Sequence, residues 1–252
     1  MLGRMAAAIF ATLLAVPHRV LPQGGLVVAP GVKADPNLTP EKRGDIFMVR
    51  KMYREAIDAF KQAPQDSAVI LNKIGIAYHQ LTDLASAKKY YQRSVKRNPR
   101  YPEAVNNLGT VYYAEKSYRR AISQYKKALR VAPKSASIHS NLGTAYFARK
   151  KYSDASKSYQ TALELDPEIF EHRSTHGVML QERSVEERAK FHYYLAKTYA
   201  KAGVNDRALQ YLRRALEEGF KERKKILEDP EFAALRETPE FKELMARETK
   251  VL

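Results

Sequence analysis

Apolar residues in the middle of the chain recur at the spacing of two amphipathic helices joined by a short turn. Leu71, Ile74 and Tyr78 follow one another at steps of three and four residues, and Ala87 and Tyr91 are four residues apart. Because an α-helix turns once in about 3.6 residues, each set lies along one face of its helix. The pattern therefore predicts a helix–turn–helix hairpin whose apolar faces pack together.

The same hairpin pattern returns twice more along the chain with a period of 34 residues. Each copy carries a glycine, a tyrosine, an alanine, a second tyrosine and a proline at matching places. Repetition at this spacing predicts repeats that stack on one another and bury a continuous core. The matching positions are Gly75, Gly109 and Gly143; Tyr78, Tyr112 and Tyr146; Ala87, Ala121 and Ala155; Tyr91, Tyr125 and Tyr159; and Pro99, Pro133 and Pro167.

Small residues at fixed places in each copy indicate close contact between helices. Glycine in a helix interior costs roughly 1 kcal/mol relative to alanine, so Gly75 and its equivalents need a compensating interaction. We expect the second helix of the hairpin to approach closely there, and Ala87 to be small for the same reason. The second tyrosine of each copy, such as Tyr91, is expected to fill the space between successive hairpins. Pro99 is expected to end the second helix, because proline cannot continue one.

These residues resemble the tetratricopeptide repeat, whose pattern W-x-x-L-G-x-x-Y, A-x-x-x-F and a closing proline appears here with tyrosine in place of phenylalanine. The tryptophan is absent, and Leu71, Val105 and His139 occupy its place. The resemblance implies an all-α fold, a right-handed superhelical solenoid of helix–turn–helix hairpins with a concave face. It also implies a scaffold or adaptor that binds a protein or peptide partner.

Incomplete copies flank the three full ones, so we predict an array of about five hairpins over residues 41–222. The earlier copy begins 31 residues before Gly75, rather than 34, and the later copy follows an insertion near residues 168–187. The matching residues are Gly44, Phe47, Tyr53, Ala56, Phe60 and Ala63 in the earlier copy, and Leu195, Ala196, Tyr199, Ala208, Leu212 and Ala215 in the later one.

Helix starts are recognisable in the carboxy-terminal part of the chain. Ser184 and Glu187 form a capping-box pattern ahead of the last predicted hairpin. Beyond that hairpin, Asp229 and Thr238 each precede a proline, which suits the first position of a helix. We therefore predict a helical cap over residues 223–252 that covers the open end of the stack.

An apolar run of 12 residues near the amino terminus, residues 5–16, follows Arg4 and ends at Pro17. It is shorter than the roughly 20 residues that span a bilayer, and it resembles a secretory signal peptide. We predict a signal peptide, or an uncleaved anchor, over residues 1–22 and a Pro/Gly linker over residues 23–40. The expected location is the periplasm or cell envelope of a bacterium, with the cytoplasm as the alternative. The lack of cysteine excludes disulfides and thiolate metal sites.

Positive charge is concentrated in one part of the chain. The net charge is +16, and residues 88–134 hold 13 basic residues and only two acidic ones, Glu103 and Glu115. Some of the cations recur at the repeat period on second helices, as Lys96 and Arg130 do. One interpretation is a solvated outer face. The other is a binding surface for an acidic envelope polymer or lipid headgroups, since the predicted export argues against nucleic acid.

Polar residues next to the Leu-Gly pairs are predicted to line the concave groove. Asn107 and Asn141 precede such pairs and resemble the asparagine ladder in the repeats of O-linked N-acetylglucosamine transferase, which implies contacts with a peptide backbone. Lys73 stands at the matching place one repeat earlier, and the alternative is that asparagine is merely tolerated at the helix surface. The predicted groove residues are Lys73, Ile76, His79, Asn107, Thr110, Tyr113, Asn141, Thr144 and Phe147.

No motif for catalysis or cofactor binding accompanies the repeats, so we predict neither an enzyme nor a cofactor. The strongest candidate for chemistry is His172-x-x-x-His176 beside Glu168 and Glu171. Two histidines one helical turn apart can bind a metal. Such pairs also arise by chance, and we predict a connector rather than a metal site. Nothing in the sequence specifies an oligomeric state.

Overall fold

The structure is a computed structural model of the chain and describes residues 38–171 and 184–246. Regular structure within these ranges is helical throughout. The helices are α1 Pro40–Val49, α2 Tyr53–Lys61, α3 Ala68–Gln80, α4 Leu84–Arg97, α5 Pro102–Ala114, α6 Tyr118–Leu129, α7 Ala136–Ala148, α8 Tyr152–Leu165, α9 Val185–Lys201, α10 Asn205–Glu217, α11 Arg223–Glu228, a 3-10 helix Pro230–Phe232, and α12 Pro239–Ala246. The predicted signal peptide or anchor over residues 1–22 lies outside the described residues. None of the described helices has the length and hydropathy needed to cross a bilayer.

Successive helices pair as five hairpins, from α1 with α2 to α9 with α10, and each hairpin packs on the next. The second helix of one hairpin packs against the first helix of the following one. In addition, α3 contacts α5 and α5 contacts α7 more extensively than the second helices contact one another. The first helices therefore lie on the inner side of the stack. The predicted all-α solenoid of helix–turn–helix hairpins is confirmed.

In each of the first four hairpins, a glycine on the first helix faces an aromatic ring on the second helix. A Cβ atom placed on Gly75 would lie 2.6 Å from the ring of Tyr91, a distance that real Cβ atoms do not adopt. The same ring packs with Leu108 and Val111 of the next hairpin. Tyr91 thus makes both contacts that the sequence predicts, the close approach to glycine and the filling between hairpins. The other pairs are Gly44 with Phe60, Gly109 with Tyr125, and Gly143 with Tyr159.

The first helix of each hairpin ends with one residue in the left-handed conformation. In the third hairpin the Lys116 N–H donates to the Tyr113 carbonyl and the Ser117 N–H to the Tyr112 carbonyl, both over 2.8 Å. This is the bonding pattern of a Schellman motif, in which glycine is the usual left-handed residue. Only the fifth of these hairpins has glycine there. The φ angles are 59° at Lys51, 61° at Thr82, 57° at Lys116, 59° at Lys150 and 75° at Gly203.

The carboxy-terminal tail covers the apolar face of the fifth hairpin. Ile226, Phe232 and Leu235 are fully buried there. They belong to one hydrophobic cluster that also includes residues of the fourth and fifth hairpins, whereas the earlier hairpins have three smaller clusters. The Ser184 hydroxyl accepts a hydrogen bond from the Glu187 N–H over 3.2 Å, as the capping pattern predicts. The largest continuous core therefore lies at the carboxy-terminal end of the stack.

Candidate binding surfaces

A row of polar side chains connects the first helices of successive hairpins, and we call it the polar row. The amide of Asn107 donates to the side-chain oxygen of Asn72 over 3.1 Å. The amide of Asn141 donates to the side-chain oxygen of Asn106 over 3.0 Å. Each donor belongs to one hairpin and each acceptor to the hairpin before it. The row begins at Lys73, whose Nζ lies 2.8 Å from Glu41 and 2.7 Å from Asp45 of the first hairpin.

The amides of the polar row are partnered within the chain. Asn72 and Asn141 are each only 3% exposed. Asn72 also donates to the Tyr101 hydroxyl over 3.5 Å, and Asn106 donates to Asn107 over 3.4 Å. A peptide that used these amides would have to displace intramolecular hydrogen bonds. The contacts therefore give Asn107 and Asn141 a role in stacking hairpins, and ladder-like peptide binding stays a prediction.

Sequence reasoning missed both acceptors of the row. Asn72 and Asn106 each stand one place before the donor position of their own repeat, so the bonded residues are 35 apart rather than 34. A search at the repeat period alone compares equivalent positions and overlooks such pairs. The adjacent asparagines at 106 and 107 were the available signal.

Thr110 and Thr144 accept hydrogen bonds from buried tyrosines. The Tyr125 hydroxyl donates to Thr110 Oγ1 over 3.4 Å, and the Tyr159 hydroxyl donates to Thr144 Oγ1 over 3.3 Å. Burial raises the pKa of Tyr125, so its phenol keeps its proton and remains a donor. Each threonine thus gives a buried tyrosine hydroxyl a hydrogen-bond partner that it would otherwise lack in the core.

Two aromatic residues that were predicted to line the groove belong to the core. Tyr113 is 8% exposed and its ring centroid lies 5.2 Å from that of Tyr118. Phe147 is 4% exposed and lies 5.3 Å from Tyr152 and 5.5 Å from Phe191. The structure therefore places Tyr113 and Phe147 in the core and not in the lining of the groove. Their rings pack between a first helix and the helices next to it.

Part of the predicted groove remains accessible on the inner side of the second hairpin. Ile76 and His79 lie one helical turn apart on α3 and are both partly exposed. Burial lowers the pKa of His79, which favours the neutral imidazole at pH 7. The neighbouring Lys73 is neutralised by its two carboxylate partners. Ile76 and His79 therefore add apolar or uncharged surface to this part of the inner face, and Lys73 adds no free positive charge.

The second helices carry a different surface, which we call the basic surface and define as the cations of residues 88–134. Among the described residues, only Lys88 of this set forms an ion pair, with Glu115 over 2.9 Å. Lys88 and Arg120 lie 5.0 and 5.8 Å from the ring centroid of Tyr112, within the range of cation–π attraction. The other cations of the basic surface form no ion pair with a described carboxylate.

The carboxylates beside the predicted histidine pair already have partners. Glu171 lies 3.3 Å from Arg207 and accepts a hydrogen bond from Tyr211 over 3.2 Å. Glu168 lies 3.9 Å from Arg207. His172 and His176 lie outside the described residues. Within the described parts of the chain, no group of three or more histidine or acidic side chains is arranged to hold a metal ion.

Known proteins match parts of this chain. Residues 101–168 and residues 72–118 each match the family described as tetratricopeptide repeat. A 60-residue segment is 40% identical to the photosystem I assembly protein Ycf3 of Rippkaea orientalis (strain PCC 8801 / RF-1). That segment makes up 21% of this chain, and the match spans only 35% of the relative.

Solved structures share the fold at low sequence identity. A crystal structure of MamA protein aligns with 75% of this chain and 93% of its own at 20% identity, with a TM-score of 0.50. A chain of the APC/C hetero-tetramer Cut9-Hcn1 aligns with 73% of this chain and 33% of its own at 21% identity, with a TM-score of 0.51. Residues 72–168 thus match the tetratricopeptide repeat family, and the solved structures share the helical-solenoid fold.

Proposed function

We propose that this protein is a non-catalytic scaffold of the bacterial cell envelope that holds an extended protein segment along the inner side of its hairpin stack. The observation that supports the proposal most directly is the close approach of α3, α5 and α7, which creates one continuous inner face. Solenoids of stacked hairpins use such faces to bind other macromolecules. The apolar run over residues 5–16 supports the envelope location.

Within this face, Ile76 and His79 are the proposed contact residues. Ile76 offers apolar surface, and the neutral imidazole of His79 can donate and accept hydrogen bonds. The polar row beside them sets the spacing of the first helices. A repeat-containing chain of similar fold occurs in the hetero-tetramer Cut9-Hcn1, which supports a partner of protein nature.

Site-specific photocrosslinking in the native cell tests the inner face. A photoreactive phenylalanine analogue is placed in the full chain at Ile76, at His79, or at the exposed Gln92 on α4 as the matched outer position. We expect the same protein to be captured from Ile76 and His79 and not from Gln92. Capture of that protein from Gln92 alone, or of none from the inner positions, would contradict the proposal.

A second function is favoured by the basic surface, namely attachment to acidic envelope polymers or to anionic lipid headgroups. Residues 88–134 carry 13 cations, and only Lys88 is paired with a described carboxylate. Unpaired cations on one side of a stack attract polyanions over roughly a Debye length, about 8 Å at physiological salt. Such attachment would leave the inner face free for a protein.

Vesicle sedimentation at increasing salt tests this second function. The full chain is mixed with vesicles of phosphatidylcholine containing phosphatidylglycerol, and we expect binding to fall steeply as salt rises. The variant Lys96→Gln/Arg97→Gln/Arg130→Gln should bind less at every salt concentration. The control variant Lys42→Gln/Arg54→Gln/Lys221→Gln removes the same charge from exposed positions outside the basic surface. Equal losses in both variants would show that net charge alone is responsible.

A further inference from the structure

A trough of about 350 Å³ lies between α8 and α9, where the fourth hairpin meets the fifth. Each wall is one face of a helix, because its residues follow one another at helical spacing. The α8 wall consists of Tyr152, Ser153, Ser156, Lys157 and Gln160; the α9 wall consists of Tyr194, Lys197, Thr198 and Lys201; and Glu231 of the tail lies beside them.

The trough exists because this junction is built differently from the earlier ones. Tyr193 and Tyr194 precede Leu195 in the fifth hairpin, at the places where the third and fourth hairpins carry the polar row. Tyr194 stacks on Tyr152 with ring centroids 4.7 Å apart and an interplanar angle of 12°. The backbones of α8 and α9 consequently approach each other less extensively than the helices at the preceding junctions. The space beside the stacked rings forms the trough.

The trough retains positive charge on both walls. Lys197 is neutralised, since its Nζ lies 2.7 Å from Asp229 and 3.3 Å from Glu231. Lys157 on the α8 wall and Lys201 on the α9 wall form no ion pair with any described carboxylate, and both are exposed. Asp229 and Glu231 share the one ammonium group of Lys197, so they also offset part of the charge of Lys157 and Lys201, and the trough keeps a smaller net positive charge. An anionic ligand would therefore meet one free ammonium group on each side.

The length of the helix segments that line the trough indicates the kind of anion. Residues 153–160 and residues 194–201 each advance about 10 Å along their helices, at about 1.5 Å per residue. An extended peptide advances about 3.3 Å per residue, so roughly three residues fill that length. Ser153 and Ser156 line the trough and can pair with peptide backbone groups, as can the side-chain oxygen of Gln160, whose amide nitrogen donates to Glu164 over 2.9 Å. A single phosphate ion would leave most of the length unfilled.

We propose that this trough binds an extended acidic peptide segment whose carboxylates pair with Lys157 and Lys201. The site is separate from the inner face of the second hairpin and from the basic surface. A partner protein carrying consecutive aspartate or glutamate residues has the chemistry that both walls recognise.

Fluorescence anisotropy with a labelled hexaglutamate peptide tests the assignment. The full chain is titrated at about 150 mM salt, where interactions between distant exposed charges are screened. We expect Lys157→Gln/Lys201→Gln to weaken binding about five- to tenfold, since each variant residue removes one partly exposed ion pair. The matched variant Lys42→Gln/Arg54→Gln removes the same charge from exposed positions outside both the trough and the basic surface, and it should change binding less than about twofold. Equal weakening in both variants, or none in either, would overturn the proposal.

The position of the peptide can be measured directly because the chain has no cysteine. A single environment-sensitive fluorophore at Gln160→Cys should respond to hexaglutamate, and the same fluorophore at Gln92→Cys on α4 should not. Displacement of the peptide from the trough by millimolar inorganic phosphate would assign the site to a free anion instead and overturn the peptide proposal. Photocrosslinking from Ile76 does not involve Lys157 or Lys201, so failure of one proposal leaves the other testable.

Discussion

A glycine that faces an aromatic ring sets the distance between the two helices of a hairpin, and the ring reaches on to the next hairpin. A Cβ on Gly109 would lie 2.6 Å from Tyr125 and 3.2 Å from the Cβ of Gln124. We expect Gly109→Val to lower the free energy of unfolding by about 3 kcal/mol, because the added volume wedges packed helices apart. The exposed control Ser123→Val on α6 should change it by less than about 0.5 kcal/mol. Urea denaturation followed by circular dichroism measures both, and wild-type stability of Gly109→Val would contradict this packing.

The left-handed turn residues impose a strain that glycine would remove. Lys116 has a φ of 57°, although a side chain in this conformation costs about 1–2 kcal/mol. We expect Lys116→Gly to raise the melting temperature, with a gain near 1 kcal/mol after the greater flexibility of glycine in the unfolded chain is subtracted. Lys116→Ala is the control, since it removes the same amino group but keeps the Cβ. If Lys116→Ala stabilises as much as Lys116→Gly, the effect does not come from backbone strain.

Between elements, the polar row ties each first helix to the one before it. Asn107→Ala leaves the oxygen of Asn72 without its donor in a position that is 3% exposed, and such a loss costs about 1–3 kcal/mol. We expect the double variant Asn72→Ala/Asn107→Ala to be more stable than the sum of the single variants indicates, because neither partner is then left unpaired. Thermal denaturation of the wild type, the two single variants and the double variant measures the coupling energy between Asn72 and Asn107. Strict additivity would show that the hydrogen bond does not contribute to stacking.

This role changes how binding experiments on the asparagines are interpreted. Loss of peptide binding in Asn107→Ala/Asn141→Ala would follow equally from loosened hairpins and from lost contacts. Ile76→Ser is the more informative change, because Ile76 is partly exposed and takes no part in the polar row. A binding loss in Ile76→Ser at unchanged stability would point to the inner face itself.

The elements themselves could be predicted because their signals are local and repeated. The 34-residue period located each glycine, its aromatic partner and the turn between them, and the structure pairs Gly75 with Tyr91 accordingly. It was harder to predict which residues of a first helix are accessible in the groove and which are covered by other helices. Periodicity groups Thr110 and Tyr113 on one face but does not say whether other helices cover that face, and in the structure α6 of the same hairpin contacts both residues. The trough was also beyond prediction, since it depends on how far α9 lies from α8 after an insertion that breaks the period.

Over the whole molecule, charge and accessible neutral surface lie on different helices. The basic surface belongs to second helices and the turns on either side of them, whereas Ile76 and His79 belong to a first helix. Lys73 adds no free positive charge to the inner face, because it is paired with both Glu41 and Asp45. A polyanion and a protein segment could therefore be held at the same time, and salt would weaken the first interaction more than the second.

The unequal cores predict that the stack opens from its amino-terminal end. The fourth hairpin, the fifth hairpin and the tail share one cluster, while Phe60 lies in a smaller cluster between the first two hairpins. In solenoids each repeat is stabilised by its neighbours, so local opening follows local packing. We expect amide hydrogens to exchange fastest in α1 and α2 and slowest in α9 and α10, as measured by mass spectrometry.

Alanine substitutions of two buried phenylalanines distinguish local opening of the stack from global unfolding. Phe60→Ala and Phe191→Ala each remove a buried ring, at a cost of about 3–5 kcal/mol. Phe191 lies 5.5 Å from Phe147 and 5.7 Å from Tyr159, so its loss should speed exchange in α7 to α10. Phe60→Ala should speed amide exchange in α1 to α3 and leave the exchange rates of α9 and α10 at their wild-type values. Equal acceleration throughout the stack in either variant would mean that the solenoid opens as one cooperative unit, despite its separate cores.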